Sequence, residues 1–131
     1  MQPHDIAAAS VAFLAVLVTA LSLNVSRLRL RHRVSFGDGG HKDLLVALRA
    51  HGNALEQSML FAALAIAYAW LAGVHAGLLA GCAYAFGAAR VVHAAAIFAR
   101  RLALRQAAHV VSTAVHLVLA AAIARAIAAT A

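Results

Sequence analysis

Long apolar runs are the feature that most restricts the folds open to this sequence. Four segments are each long enough to cross a bilayer as a helix. They lie at about residues 6–26, 44–70, 76–99 and 107–128. A membrane interior offers the backbone no hydrogen-bond partners, so only helices and closed barrels span it, and these Ala-, Leu- and Val-rich runs lack the alternating polarity of barrel strands. They predict an all-α integral membrane protein, a four-transmembrane-helix bundle forming one domain over residues 1–131.

The composition agrees with a membrane protein and excludes a soluble one. Of the 131 residues, 65% are hydrophobic and 11% are charged, whereas an ordinary soluble domain has about 25% charged residues. A formal net charge of +7 is also found in proteins that bind nucleic acids. The basic residues, however, lie mostly in two short segments between apolar runs, which leaves little polar surface for a duplex. We therefore expect membrane lipids, and no nucleic acid, as partners, and the sequence predicts no metal site.

The basic residues also indicate how the chain is oriented. The first connection contains Arg27, Arg29, Arg31, Arg33 and Lys42, and the third contains Arg100, Arg101 and Arg105. The N-terminal lead and the second connection, Ala72 to His75, contain no Lys or Arg. Because basic connections remain on the cytoplasmic side, we expect the first and third connections in the cytoplasm and both termini outside.

The second apolar run is interrupted by one strongly polar face. Arg49, Asn53 and Glu56 are spaced i, i+4 and i+7, which places them within roughly 60° of one another on a helix, while His51 points to the opposite side. An ionisable group near the bilayer centre costs about 2.5–3.5 kcal/mol. We therefore expect this face to turn towards protein, water or a ligand rather than towards lipid.

Further polar residues fall at the same depth in the other runs. Arg90 and His93 lie in the half of the third run nearest the third connection, and Arg105 lies where the fourth run opens, just before residue 107. Arginine can bind a carboxylate through two parallel hydrogen bonds, and a buried glutamate can bind an ammonium group. Arginine can also stabilise a thiolate relative to the thiol. The pattern suits a small zwitterionic ligand, and it suits equally well ion pairs that only fix how the helices pack.

A family resemblance favours the first of these interpretations. The segment Arg49-Ala-His-Gly-Asn53-Ala-Leu-Glu56, preceded by Arg-Val-Ser-Phe-Gly-Asp-Gly-Gly and followed by Ala-Arg90-Val-Val-His93, resembles the MAPEG family. These are the membrane-associated proteins in eicosanoid and glutathione metabolism, and the Gly-Asp-Gly-Gly turn is similar to that of a bacterial branch. The likeness covers nearly the whole chain.

The resemblance implies a homotrimer in the bacterial inner membrane, with a glutathione site between neighbouring subunits that opens to the cytoplasm. Glutathione would be the cosubstrate of a transferase or peroxidase acting on a hydrophobic electrophile or lipid hydroperoxide. By position, the glutathione-binding residues would be Arg49, Asn53, Glu56, Arg90 and His93.

The resemblance also implies a catalytic residue. Arg105 would stabilise the glutathione thiolate, although this match needs a gap in the third connection, which leaves Arg101 as a competitor. The sequence departs from better-known members at two positions. Ile97 stands where they have a tyrosine, and His109 is the nearest polar residue to a second tyrosine early in the fourth run. Both changes remove a phenol from the expected site.

Three other interpretations remain. A small proton-coupled transporter would titrate Glu56, although an arginine on the same face favours its ionised form. A haem protein would use His93, His109 and His116, but His109 and His116 lie about 10 Å apart along one helix. A non-catalytic structural protein would place its buried charges in ion pairs.

Overall fold

The chain forms four helices. In the computed structural model, residues 1–71 and 74–129 are described, and this part of the chain contains no strand. The helices are α1 (Pro3–His32), α2 (Lys42–Ala69), α3 (Ala76–Phe98) and α4 (Leu102–Ala128). The predicted all-α architecture is confirmed. Within the described residues, α1, α3 and α4 are long and apolar enough to cross a membrane. Helix α2, with 28 residues, is of similar length, but it is not among these three.

Two helices extend beyond their apolar runs. Helix α1 continues through the basic segment to His32, where cationic side chains in the last turn interact favourably with the negative end of the helix dipole. Helix α4 begins at Leu102, so Arg105 lies in its first turn and not in the connection. The apolar runs mark the part of a helix suited to lipid, whereas the helix itself continues until its backbone is capped.

Helices α2 and α3 form the centre of the bundle. Each of them packs against both α1 and α4, whereas within the described residues no Cα atom of α1 comes within 8 Å of one of α4. Small side chains on α2, at Ala50 and Ala54, pack with Leu21 of α1 and Ala94 of α3. In the half of the bundle nearest the termini, Phe61 of α2 stacks on Phe86 of α3 with ring centroids 4.3 Å apart.

The first connection contains the tight reversal that its glycines predict. Gly37, Gly39 and Gly40 all have positive φ, and the Asp38 carboxylate accepts a hydrogen bond from the Gly40 backbone. A Cβ on Gly39 would come within 2.6 Å of the Val34 side chain. Glycine is therefore required there both for its backbone angle and for space.

The second connection is described only in part, because Ala72 and Gly73 lie outside the described residues. The Tyr68 hydroxyl, near the end of α2, accepts a hydrogen bond of 3.1 Å from the His75 backbone at the start of α3. This bond joins the two helices, and Tyr68 is only 3% exposed. Trp70, two residues further on, is largely exposed. This contact is consistent with α2 and α3 as adjacent, antiparallel helices.

Candidate functional site

A polar groove of about 790 Å³ lies between α2 and α4, with α3 at its base. This volume is within the range of small-molecule sites. The lining residues are Arg49, Gly52, Asn53 and Glu56 of α2, His93 and Ile97 of α3, and Arg105, Gln106, His109 and Val110 of α4.

The structure brings five of the six predicted site residues into this groove. The helical spacing of Arg49, Asn53 and Glu56 places them along one wall, and His51 is not among the lining residues. Arg105 stands on the opposite wall because α4 begins early enough to include it. The roles of these residues as ligand contacts remain predictions.

The sixth predicted residue, Arg90, lies beneath the groove and not on its lining. It is 1% exposed. One guanidinium nitrogen, Nη1, donates to Asn53 Oδ1 at 2.9 Å, and the other, Nη2, donates to Ser112 Oγ at 2.6 Å and the Ala108 carbonyl at 3.4 Å. The guanidinium also lies 5.6 Å from the centre of the Phe86 ring. Arg90 thus connects α3 to both α2 and α4, and its direct contact with a ligand stays a prediction.

The bond to Arg90 determines which end of the Asn53 amide remains available. Since Oδ1 accepts from Arg90, the amide NH₂ group is left to donate to a molecule in the groove. Arg90 therefore acts on the groove through Asn53. The Arg90 charge stays within the protein, and the group that faces the groove is the neutral NH₂ donor of Asn53.

Two histidines lie near each other on the α3 and α4 sides of the groove. The ring centroids of His93 and His109 are 6.4 Å apart and the rings are tilted by 50°. His93 is buried, whereas His109 is exposed. Within residues 1–71 and 74–129, no group of three His, Cys, Asp or Glu side chains is arranged to hold a metal ion.

The groove carries cations and an anion that do not neutralise each other. Arg49, Arg105 and Glu56 are exposed, and no ion pair joins any of them to another residue in the described part of the chain. Their charges are available to a bound molecule. A ligand with more than one anionic group and one ammonium group would match two guanidinium groups and one carboxylate.

Sequence reasoning missed several residues of this site. Gly52 lines the groove, and a Cβ added there would meet nothing within 4 Å, so the glycine leaves the groove open. Gln106, a further polar residue of the lining, follows directly after Arg105. Ser112 receives the Arg90 bond and itself donates to the Ala108 carbonyl at 2.9 Å. Ser112 belongs to a polar stripe of the fourth run, in which His109, Ser112, Thr113 and His116 are spaced i, i+3, i+4 and i+7. Its hydroxyl makes the i−4 bond common for serine in membrane helices.

Comparisons with known proteins agree with this architecture. A 42-residue stretch is 50% identical to the inner membrane protein YecN of Escherichia coli strain K12 and to the same protein of E. coli O6:H1. This stretch covers 32% of the chain and 32% of each relative, so it spans about a third of their length. The model of the MAPEG family matches residues 7–125. Because that match takes in most of α1 and α4, all of α2 and α3 and the whole groove, the chain belongs to the MAPEG family.

Proposed function

We propose that the groove binds glutathione and that the protein uses it as cosubstrate, as a glutathione transferase or a glutathione-dependent peroxidase. One observation carries the proposal. In a chain of this family, Arg49, Glu56 and Arg105 place two cations and one carboxylate around a single cavity of about 790 Å³ without pairing among themselves.

The charges of glutathione match those of the groove. The tripeptide carries two carboxylates, one ammonium group and a thiol. A guanidinium group binds a carboxylate through two parallel hydrogen bonds, which fits Arg49, and Glu56 would receive the ammonium. The Asn53 amide, held by Arg90, would donate to a carbonyl of the peptide backbone. His93 at the base would contact the same molecule.

Arg105 would supply the chemical activation. A guanidinium close to a thiol stabilises the thiolate and lowers the thiol pKa from its ordinary value of about 8.5. The thiolate would attack an electrophilic carbon to form a carbon–sulfur bond as the leaving group departs. With a hydroperoxide, the thiolate sulfur would attack the terminal oxygen and break the O–O bond, which gives a glutathione sulfenic acid and an alkoxide that takes a proton from water to leave as the alcohol. A second glutathione thiol would then attack the sulfenic sulfur, which forms glutathione disulfide and releases water. The protein contributes proximity and a reactive nucleophile.

The second substrate would be a hydrophobic small molecule. Ile97 and Val110 give the groove apolar surface beside its charges. An apolar electrophile or lipid hydroperoxide dissolved in the bilayer would reach this surface from the side. We further propose a homotrimer in the inner membrane, with the basic connections in the cytoplasm and both termini outside.

The test is calorimetric titration of glutathione into detergent-purified protein. The variants are Arg49→Ala and Glu56→Ala, each checked for an intact oligomer, with His51→Ala as a matched control on the same helix but outside the groove lining. We expect saturable binding that weakens at least roughly tenfold in the two groove variants, because each loses a charged contact of about 1.4 kcal/mol or more, and unchanged binding in the control. Well-folded wild-type protein that fails to bind millimolar glutathione would refute the assignment. Proton-coupled flux through Glu56 would then be measured in proteoliposomes.

A further inference from the structure

A second, smaller cavity of about 220 Å³ adjoins the groove at the turn between α3 and α4. Four arginines line it: Arg49, Arg100, Arg101 and Arg105. Among the described residues, the rest of its lining is apolar and includes no acidic side chain. We call it the arginine cavity. It shares Arg49 and Arg105 with the groove, whereas Arg100 and Arg101 line the arginine cavity alone.

The four arginines come from three parts of the fold. Arg49 lies on α2, Arg100 and Arg101 form the turn, and Arg105 lies in the first turn of α4. Within the described residues, none of the four guanidinium groups takes part in a salt bridge. Like charges gathered around one small cavity repel one another unless an anion occupies it. Arginines that only set the orientation of the chain need to lie on one side of the membrane, but they do not need to line a single cavity. Membrane orientation alone therefore does not account for this arrangement.

The turn is built to hold its two arginines next to the start of α4. Arg100 has a φ of 54°, the left-handed conformation in which glycine usually ends a helix. The Arg101 backbone N–H then reaches back to the Ala96 carbonyl at 2.8 Å, which closes the end of α3. Arg101 is also the N-cap of α4 and makes no side-chain capping bond. The positive end of the α4 dipole therefore adds to the four guanidinium charges.

We propose that the arginine cavity binds a phosphate group of an anionic ligand. Phosphate oxygens can accept from several guanidinium forks at once, whereas a carboxylate offers only two oxygens. A volume of about 220 Å³ suits a phosphate group with a short attachment. Two sources share this chemistry: the headgroup of an anionic phospholipid and a phosphate dissolved in the cytoplasm. Leu102 is 58% exposed and lines the same cavity, which places apolar surface beside it.

The backbone offers a matched pair of variants for the test. Arg100→Gly removes one guanidinium of the cavity and suits the positive φ at that position, so the turn is preserved. Arg33→Gly is the control: Arg33 is an exposed arginine of the other basic connection with a φ of 56°, and it does not line the arginine cavity. The two variants lose the same charge in the same backbone conformation.

The experiment titrates detergent-purified, full-length protein in a non-ionic detergent with two probes, short-chain phosphatidylglycerol and inorganic phosphate. We expect saturable binding of at least one probe, weakened by roughly tenfold in Arg100→Gly and unchanged in Arg33→Gly. Tighter binding of the lipid would assign the cavity to a headgroup, and tighter binding of inorganic phosphate would assign it to a phosphate dissolved in the cytoplasm. Failure of both probes to saturate, or equal weakening in the two variants, would overturn the proposal. Arg100 does not line the groove, so glutathione titrated into the same variants tests the groove independently.

Discussion

Arg90 donates from Nη1 to the Oδ1 atom of Asn53 across 2.9 Å, and this bond joins a fully buried cation to the wall of the groove. The same guanidinium donates to Ser112 on α4. Three helices therefore meet at one side chain. Arg90 therefore holds Asn53 of the groove wall in place from within the bundle.

Replacing Arg90 by lysine should destabilise the bundle although the charge is kept. A lysine ammonium lacks the planar fork that reaches Asn53 and Ser112 together. We expect the free energy of unfolding to fall by roughly 1–3 kcal/mol, measured by denaturant titration in detergent. Arg125→Lys, an exposed position near the end of α4, should leave it unchanged. Equal free energies of unfolding for wild type and Arg90→Lys would show that the guanidinium hydrogen bonds do not contribute to stability.

The two candidates for thiolate stabilisation can be separated by the pKa of bound glutathione. Arg105 lines the groove, whereas Arg101 lines only the neighbouring arginine cavity. We expect Arg105→Gln to raise the pKa of the bound thiol towards its ordinary value of about 8.5, and Arg101→Gln to change it little. The ultraviolet absorbance of the thiolate, followed against pH, gives this value. A larger shift in Arg101→Gln would reverse the assignment.

Restoring a phenol at position 97 should strengthen glutathione binding. Ile97 lines the groove, so a tyrosine there would place a hydroxyl donor within it. One added hydrogen bond contributes about 0.5–1.5 kcal/mol, or roughly a two- to tenfold gain in affinity. Calorimetry of Ile97→Tyr measures the gain. Ile97→Phe adds the ring without the hydroxyl, so equal gains in both variants would attribute the effect to packing.

The first connection contains a pH-sensitive contact. The Asp43 carboxylate lies 2.9 Å from His32 Nε2, and the His32 ring stacks on His41 with centroids 3.9 Å apart. The hydrogen bond with His32 is the main cause that holds the pKa of Asp43 below its ordinary value of 3.8. Because folding favours the ionised carboxylate, its stabilising effect is present above pH 3.8 and is lost as the pH falls through the lowered pKa.

This contact can be followed by the carboxyl carbon chemical shift of Asp43 during a pH titration. In His32→Ala the pKa of Asp43 should rise towards 3.8, since the main cause of its lowering is gone. His4→Ala, which changes a histidine near the N-terminus, should leave the titration unaltered. An unchanged midpoint in His32→Ala would mean that another group lowers this pKa.

The sequence predicts features that depend on residues close together in the chain better than contacts between distant residues. The common face of Arg49, Asn53 and Glu56 follows from helical spacing alone, because i, i+4 and i+7 are local relationships. The partnership of Arg90 with Ser112 joins residues 22 positions apart. It depends on how α3 and α4 pack, which no local pattern determines.

The helix ends were the other weak point. Hydropathy placed the start of the fourth run near residue 107, yet α4 begins at Leu102 and carries Arg105 in its first turn. The reason is that the turn at Arg100 closes α3 and leads directly into the next helix. Apolar content indicates where lipid begins, while backbone capping decides where a helix begins.

The bonds of Arg90 also bear on the order in which the chain enters the membrane. Synthesis delivers Asn53 on α2 before Arg90, but Ala108 and Ser112 on α4 only afterwards. An arginine within an isolated helix costs about 2.5–3.5 kcal/mol in lipid. Helix α3 alone would therefore enter the bilayer with an unfavourable free energy, which falls once Ala108 and Ser112 of α4 accept hydrogen bonds from Arg90. We expect the insertion machinery to hold α3 until α4 emerges, so that the two helices partition into the membrane as one hairpin.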